Sequence, residues 1–513
     1  MNSTALFPRM QRVGECVAAV RVALVSVTIA GTILTALAAC SSSDDAVVAY
    51  PPGAGHPTDG TDDASEEDAS APGADDAARD ATTPEPLVGT KLLAASVFLE
   101  GVTTDGHLAF FADADLMVLP SGASTPTTVV KDFHNDTDSW LVRGRFVAAW
   151  LGTAAKGPMT LWSSASGVVT AAPLTVRETL YPRGTSDSFA YFAPGTSALQ
   201  DDLYATSAGA GPGTLVVANL DRGLLDSQCR RSVFFTPSAL LVAGCVGADS
   251  TPRVATYDLG GGGVSNVVLQ GSAPGVWLDH AATHAVVQTS AQSSIRALAG
   301  GGSPVVLDTS IRQAAFSADD SKVVYLRSDG AVRRASTASP ASPINLATGA
   351  IQLLALSPDA RFTAFATKGT PSNQDSDIVV VDANASSAAP RVLAADHAWV
   401  AGVSTSGSEL VFFVPDDPPI QGTLSVASLG TGTTQTISTS AQRVVFDGRV
   451  LYWQEFVVAK KTNVLKAVRM SDRSNVIVVD EDLDPLTTQV MIAGSKLFVG
   501  NKLGLWSYPA LAP

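Results

Sequence analysis

From about Lys91 to the C-terminus, apolar residues come in short runs that alternate with polar ones, and the runs are cut by Gly, Asp, Ser or Pro. The breaks recur roughly every 8–12 residues, the spacing of short strands joined by tight turns. The clearest runs are Lys322-Val323-Val324-Tyr325, Phe362-Thr363-Ala364-Phe365, Leu410-Val411-Phe412 and Leu451-Tyr452-Trp453. A period of two places alternate side chains on one face of a strand, and stretches with helical period are scarce. The pattern predicts an all-β body over residues 88–513.

The strands repeat weakly. Phe316-Ser317-Ala318-Asp319-Asp320-Ser321-Lys322 leads into Val323-Val324-Tyr325, and Ser328-Asp329-Gly330-Ala331-Val332 follows. About forty residues on, Leu356-Ser357-Pro358-Asp359-Ala360-Arg361 leads into Phe362-Thr363-Ala364-Phe365, followed by Asp377-Ile378-Val379-Val380-Val381-Asp382. These two units resemble the WD40-like repeats of the TolB type, in which a Ser-Pro-Asp-Gly turn joins two strands. Ala318 stands at the proline position of the first unit and Ala360 at the glycine position of the second. A third segment, Phe446-Asp447-Gly448-Arg449-Val450-Leu451-Tyr452-Trp453, is similar to strands of other bacterial propellers, and weaker echoes begin at Asp105 and Ser406.

The resemblance implies a β-propeller of repeated four-stranded blades. Dividing the body at these turns gives about nine or ten units near 42 residues each, within an expected range of about 8–10 blades. The C-terminal piece around Lys496–Val499 and Leu503–Tyr508 is too short for a full blade, so a strand near Lys91–Val97 is expected to complete it. A single ring is the expectation, with two propellers or a series of sandwiches as alternatives.

Composition changes the picture only at the N-terminus. The chain carries a net charge of −15. Residues 1–40 hold Arg9, Arg12 and Arg21 against Glu15, whereas residues 41–87 hold twelve acidic side chains against Arg79. The body that remains is mildly negative and lacks the clustered Lys and Arg that nucleic acid demands, so no nucleic-acid partner is expected. After the arginines, the apolar run Val22–Leu37 is short for a membrane span and reads as the core of an export signal. It ends Leu37-Ala38-Ala39-Cys40-Ser41, which resembles the lipobox of bacterial lipoproteins. That resemblance implies cleavage of residues 1–39, lipid on Cys40, and a membrane-bound product. By the same analogy Ser41, rather than an acidic residue, favours the outer membrane, facing the periplasm or the surface. Residues 40–87 are then a lipidated cysteine and an acidic tether too poor in apolar side chains to fold, with a reach of roughly 40 Å.

Candidate chemistry in the body is sparse. His280 and His284 have the i,i+4 spacing of a zinc protease helix, but Ala281 stands where the general base would be, and a turn is the plainer reading. Asp113, Asp115 and the run Asp480-Glu481-Asp482-Leu483-Asp484 offer oxygens for calcium, yet fall where turns favour Asp. No nucleophile elbow or phosphate loop occurs, Gly260–Gly263 is a flexible turn, and no residues remain for the α/β-hydrolase domain that accompanies some propellers. The tryptophans are spread along the chain and suit core packing. No metal, cofactor or catalytic residue is expected.

Cys229 and Cys245 flank a hairpin centred on Pro237, and their numbers satisfy a pairing that sums to 474. They are expected to face each other across adjacent strands within disulfide reach, in an oxidising compartment. The functional expectation is a membrane-anchored cell-envelope lipoprotein that is not an enzyme, whose ring binds or scaffolds an envelope protein or polysaccharide. The alternative is a propeller lyase or glycoside-cleaving enzyme with its site in the central channel.

Overall fold

A computed structural model describes residues 87–511, apart from 134–138, 151–156, 177, 181–187, 208–212, 224–228, 230, 237, 248–250, 261–262, 300–302, 369–375, 386–388, 395–397 and 417–420. Pro84–Pro513 forms one compact unit. The export signal, Cys40 and the acidic tether lie outside the described residues.

Among the described residues every regular element is a strand, and the strands form eight antiparallel sheets. Six sheets have four strands, one has eight and one has seven. The eight-stranded sheet is two blades joined edge to edge through the single pair Leu220↔Val246. The seven-stranded sheet is also two blades, which share the long strand Thr434–Phe446. Its first part pairs with Gly422–Ser428 and its last part with Val450–Val457. The body is therefore a propeller of ten four-stranded blades.

Blades 1 to 5 span residues 97–130, 139–176, 178–221, 232–270 and 275–308. Blades 6 to 9 span 311–347, 350–394, 399–441 and 441–483, and blade 10 spans 489–509. Blade 10 takes its fourth strand from the N-terminal end of the body, where Thr90–Leu93 pairs antiparallel with Gly504–Pro509. Ten apolar clusters each bridge two consecutive blades. Phe111, Val118 and Trp162 join blades 1 and 2, Val332, Phe365 and Val379 join blades 6 and 7, and Leu99, Phe110 and Phe498 close blade 10 onto blade 1. The cycle returns to its start without skipping a blade, which makes it one ring rather than two.

The second strand of each blade explains why the sequence pattern was visible. It is sandwiched between neighbours on both faces, so Leu108–Ala112 and Ala239–Val246 are buried at every position, and a run of apolar side chains is what that place requires. The first strands face the central channel. Their free edge is capped in two blades by a glutamine: Leu99 N donates to Gln489 Oε1 at 2.5 Å and Leu353 N donates to Gln313 Oε1 at 2.7 Å. Each bond crosses to the next blade and satisfies a backbone donor that the sheet leaves unpaired.

The turn between first and second strands is built the same way four times. Ser317 Oγ accepts from Lys322 N at 3.0 Å and donates to Asp319 Oδ1 at 2.6 Å. Ser357 Oγ does the same with Phe362 N and Asp359, at 2.9 and 2.7 Å, and Thr103 Oγ1 with His107 N and Asp105, at 3.0 and 2.9 Å. In blade 8, Ser404 Oγ accepts from Glu409 N at 3.1 Å, and its second partner is Ser406 Oγ at 2.9 Å. The fourth turn residue is left-handed in all four, with φ of 83° at Gly106, 57° at Asp320, 53° at Ala360 and 71° at Gly407. Ala360 shows that the glycine of the repeat is dispensable for the shape, at a cost of roughly 1–2 kcal/mol.

Candidate functional site

These turns lie on one face of the ring, together with the turns between third and fourth strands. Adjacent blades are tied there by backbone bonds: Thr104 N to Gly144 O, Ala318 N to Pro358 O and Thr405 N to Gly448 O, at 2.7, 2.7 and 2.9 Å. A groove runs between the first turn of one blade and both turns of the next. Between blades 6 and 7 the buried Arg334 occupies it, donating to Ala360 O at 3.3 Å, Asn384 Oδ1 at 3.2 Å and Ala383 O at 3.1 Å.

Between blades 8 and 9 the groove is open. The strand register gives the reason. Arg334 pairs with Val324, and at the equivalent place in blade 8 Val426 pairs with Val411, so no long side chain enters the groove from this position. A depression of about 350 Å³ remains, lined by Ser404, Thr405, Ser406, Glu409, Gly448, Arg449, Met470 and Ser471. Glu409 is engaged by Arg473 at 2.6 Å. The hydroxyls of Ser404, Ser406 and Ser408 form a chain at 2.9 and 2.7 Å whose donor direction is free to reverse. A smaller depression of about 130 Å³ occupies the matching place between blades 10 and 1, beside Gly106, Ser121 and Lys496.

The charges of this groove also depart from the repeat. Asp105, Asp319 and Asp359 hold one turn position in blades 1, 6 and 7, and Ser406 replaces them in blade 8. Hydrogen bonds from Ser317 and Ser321 hold the Asp319 carboxyl down to about 2, so it is ionised at neutral pH. In blade 7, Arg361 follows the turn and pairs with Asp382 at 2.8 Å; that aspartate is the ladder partner of Phe362. In blade 9, Arg449 holds the place of Arg361, while the ladder partner of Val450 is Arg469. Arg449 thus meets an arginine where its counterpart meets a carboxylate.

A second feature lies in the wall formed by the first strands. Glu100 Oε2 accepts from Trp140 Nε1 at 2.7 Å, beside the aromatic group Phe111, Phe133 and Trp140. Burial lifts its carboxyl to about 7, against the opposing pull of the Trp140 bond. Nothing in the linear sequence announces this, because the indole arrives from the next blade.

The histidines do not converge. His280 Nδ1 meets Asp320 Oδ1 at 2.9 Å, His284 Nδ1 meets Asp279 Oδ2 at 3.4 Å, and both rings are more than half exposed in one turn of blade 5. The carboxylates of 480–484 are dispersed: Asp480 accepts from Tyr508, Glu481 pairs with Lys460 at 3.1 Å, and Asp484 pairs with Lys502 at 2.5 Å. Asp115 accepts from Asp132 N at 3.1 Å, and Asp113 sits left-handed in a turn. Among the described residues no group of three His, Cys, Asp or Glu side chains is placed to hold a metal.

Cys229 and Cys245 are joined, with Cα atoms 4.8 Å apart. Their register differs from the expected one. Ser232–Phe235 pairs with the next strand as Ser232↔Ala243 and Phe235↔Leu240, a sum of 475. Cys229 therefore precedes the strand and is not a ladder partner of Cys245. Next to it, Arg231 reaches the buried Asp201 at 2.5 Å and lies 3.8 Å over the ring of Phe192, fixing the chain that carries the cysteine.

No protein-family model matches this chain, and the comparison with curated proteins finds no match in sequence. Solved structures do resemble it. One is a prolyl endopeptidase, at 10% identity and a TM-score of 0.38, over 74% of this chain and 55% of that one. TolB from Agrobacterium tumefaciens aligns at 16% identity and a TM-score of 0.23, over 41% and 94%. The β-propeller domain of Swd1 from Myceliophteria thermophila aligns at 11% and 0.27, over 55% and 96%. The chain spans about half the length of the prolyl endopeptidase it matches. The expectation that the chain is not an enzyme is corrected by that likeness to a prolyl endopeptidase, and catalysis is no longer excluded. The physical reason is that a ring can assemble a site from side chains of separate blades, which a search for linear motifs does not detect. What these likenesses describe is the fold, an all-β propeller that includes TolB-like and WD40-type rings among its neighbours.

Proposed function

We propose that the chain is a cell-envelope lipoprotein, held on the membrane by lipid at Cys40, whose propeller binds or scaffolds another envelope component. Leu37-Ala38-Ala39-Cys40 supports the anchor, and Ser41 supports the outer membrane as its place. The acidic stretch that follows is the tether, and the joined pair Cys229 and Cys245 suits an oxidising compartment. The observation that carries the binding role is the open groove between blades 8 and 9 on a face whose turns are locked to one another. A rigid face with an unfilled, charged recess binds without first ordering its own loops. The partner is an envelope protein or a polysaccharide.

Fatty-acid labelling of cells that make the full chain tests the anchor: wild type should be labelled and Cys40→Ser should not. Equal labelling would overturn it. For the binding role, the full chain in detergent should co-sediment with envelope material, and Val426→Arg, which refills the groove, should weaken that association while the ring stays folded. Unchanged sedimentation of the folded variant would contradict the assignment to this groove.

A further inference from the structure

The groove between blades 8 and 9 differs from its counterparts in three ways, and all three act in one direction. Val426 in place of Arg334 opens the space, Ser406 in place of an aspartate removes a carboxylate from its lip, and Arg469 in place of Asp382 takes away the counter-ion that Arg449 would have had. The guanidinium of Arg449 has no hydrogen-bond or ion-pair partner among the described residues, and its side chain is exposed in the groove wall. Glu409, the other charged side chain of the lining, is already neutralised by Arg473. Asp447 accepts from Arg449 N and Val450 N at 2.8 and 2.7 Å and is occupied with shaping the turn.

From these features we infer that the groove takes an acidic saccharide, a sugar ring bearing a carboxylate. The anion sits on Arg449, which is the one cation of the lining. The ring hydroxyls meet Ser404, Ser406, Thr405 and Ser471. Because the serine chain can donate or accept at either end, it suits hydroxyl partners of either polarity. Met470 offers an apolar surface to the C–H face of the ring. The volume, about 350 Å³, lies at the lower end of the range of small-molecule sites, roughly 300–1,000 Å³. A peptide is disfavoured, since the lining is built from turns and offers no strand edge to extend. Elsewhere on this face the turn aspartates repel an anion, so the groove gains selectivity as well as affinity.

The inference rests on the reading of this groove as the binding site, and the test separates the two. Calorimetric titration of the full-length chain in detergent with glucuronate, glucose and acetate is the measurement. Glucuronate should bind saturably, with glucose and acetate each weaker by roughly tenfold or more. Arg449→Ala and Ser406→Asp should each cost glucuronate roughly tenfold. Ser406→Asp restores the residue that the other turns carry and should keep the thermal midpoint, and Arg449→Ala touches an exposed side chain. Absence of glucuronate binding, equal binding of glucose or acetate, or equal binding by both variants would overturn the inference. If envelope association still responds to Val426→Arg in that case, the binding role stands with another ligand, and if it does not, both fall.

Discussion

The junction of blades 6 and 7 and that of blades 8 and 9 share one strand arrangement and the turn hydroxyl of the leading blade, yet one is filled and charge-paired while the other is open and carries an arginine with no partner among the described residues. At the first, Arg334 bridges to two carbonyls and an amide of the next blade, and Arg361 meets Asp382. At the second, Val426 stops short of the groove and Arg449 faces the position of Arg469. In the leading blade of each, a serine Oγ accepts from the start of the second strand in the same way, Ser317 from Lys322 N and Ser404 from Glu409 N. The scaffold therefore resides in the hydroxyl that closes the turn, and the site resides in the charges placed around it.

The largest expected effect contrasts the turn carboxylates with Glu100. The folded state raises the Glu100 carboxyl to about 7, so the unfolded chain ionises first as pH rises. Stability is lost between about pH 4.5 and pH 7 and then levels off, by up to roughly 3 kcal/mol from a shift of that size. Asp319, held at about 2, acts with the opposite sign and gives up its contribution only as pH falls from about 4 toward 2. Glu100→Gln still accepts from Trp140, so urea denaturation should find it more stable than wild type at pH 8 and equal at pH 4. A gain of the same size at pH 4 would show that the carboxyl is not what titrates.

Next come the turn hydroxyls. Ser357→Ala and Ser404→Ala each strand a backbone N–H, that of Phe362 or Glu409, and should cost about 1–3 kcal/mol. Similar losses in chemical denaturation are expected at both junctions. A loss at Ser357 alone would mean that the blade 8 turn is not part of the scaffold.

How much of this could be read from the sequence follows from which constraints are local. The turns at Ser317, Ser357 and Asp447 were legible because serine, aspartate and glycine are demanded there by hydrogen bonds within six residues. Second strands were legible because burial on both faces forces an apolar run. The passage from blade 8 to blade 9 was not, since one strand, Thr434–Phe446, crosses it without a turn residue to mark the boundary. The expected pairing of the cysteines was off by one residue because Phe235 pairs with Leu240 and Thr236 N bonds Ala239 O, a register that nothing in Thr236-Pro237-Ser238 announces. Arg449 and Glu100 were missed for a common reason. Their character depends on residues set opposite them by register or by the neighbouring blade, Arg469 and Trp140.

A smaller effect sharpens the same comparison at the turn tips. Gly407 is left-handed, and a Cβ there would stand 2.7 Å from Pro358 Cδ of the preceding blade. Gly407→Ala should cost about 1–2 kcal/mol from the backbone alone, and more from the contact with proline. Ala360→Gly should change stability by less than about 1 kcal/mol, since relief of its φ is offset by loss of a buried methyl. Thermal unfolding of the two variants checks both signs. The smallest effect is that of Arg361→Ala, whose exposed pair with Asp382 should leave the melting midpoint unchanged within error.

All of these comparisons assume that blades 6 to 9 sit consecutively in one closed ring, with the strand Thr90–Leu93 locking blade 10 to the beginning of the chain. Face-on averages of the full chain by single-particle electron microscopy test that claim directly. The expected image is one ring with ten spokes around a central channel, and two smaller rings or an open arc of blades would contradict it.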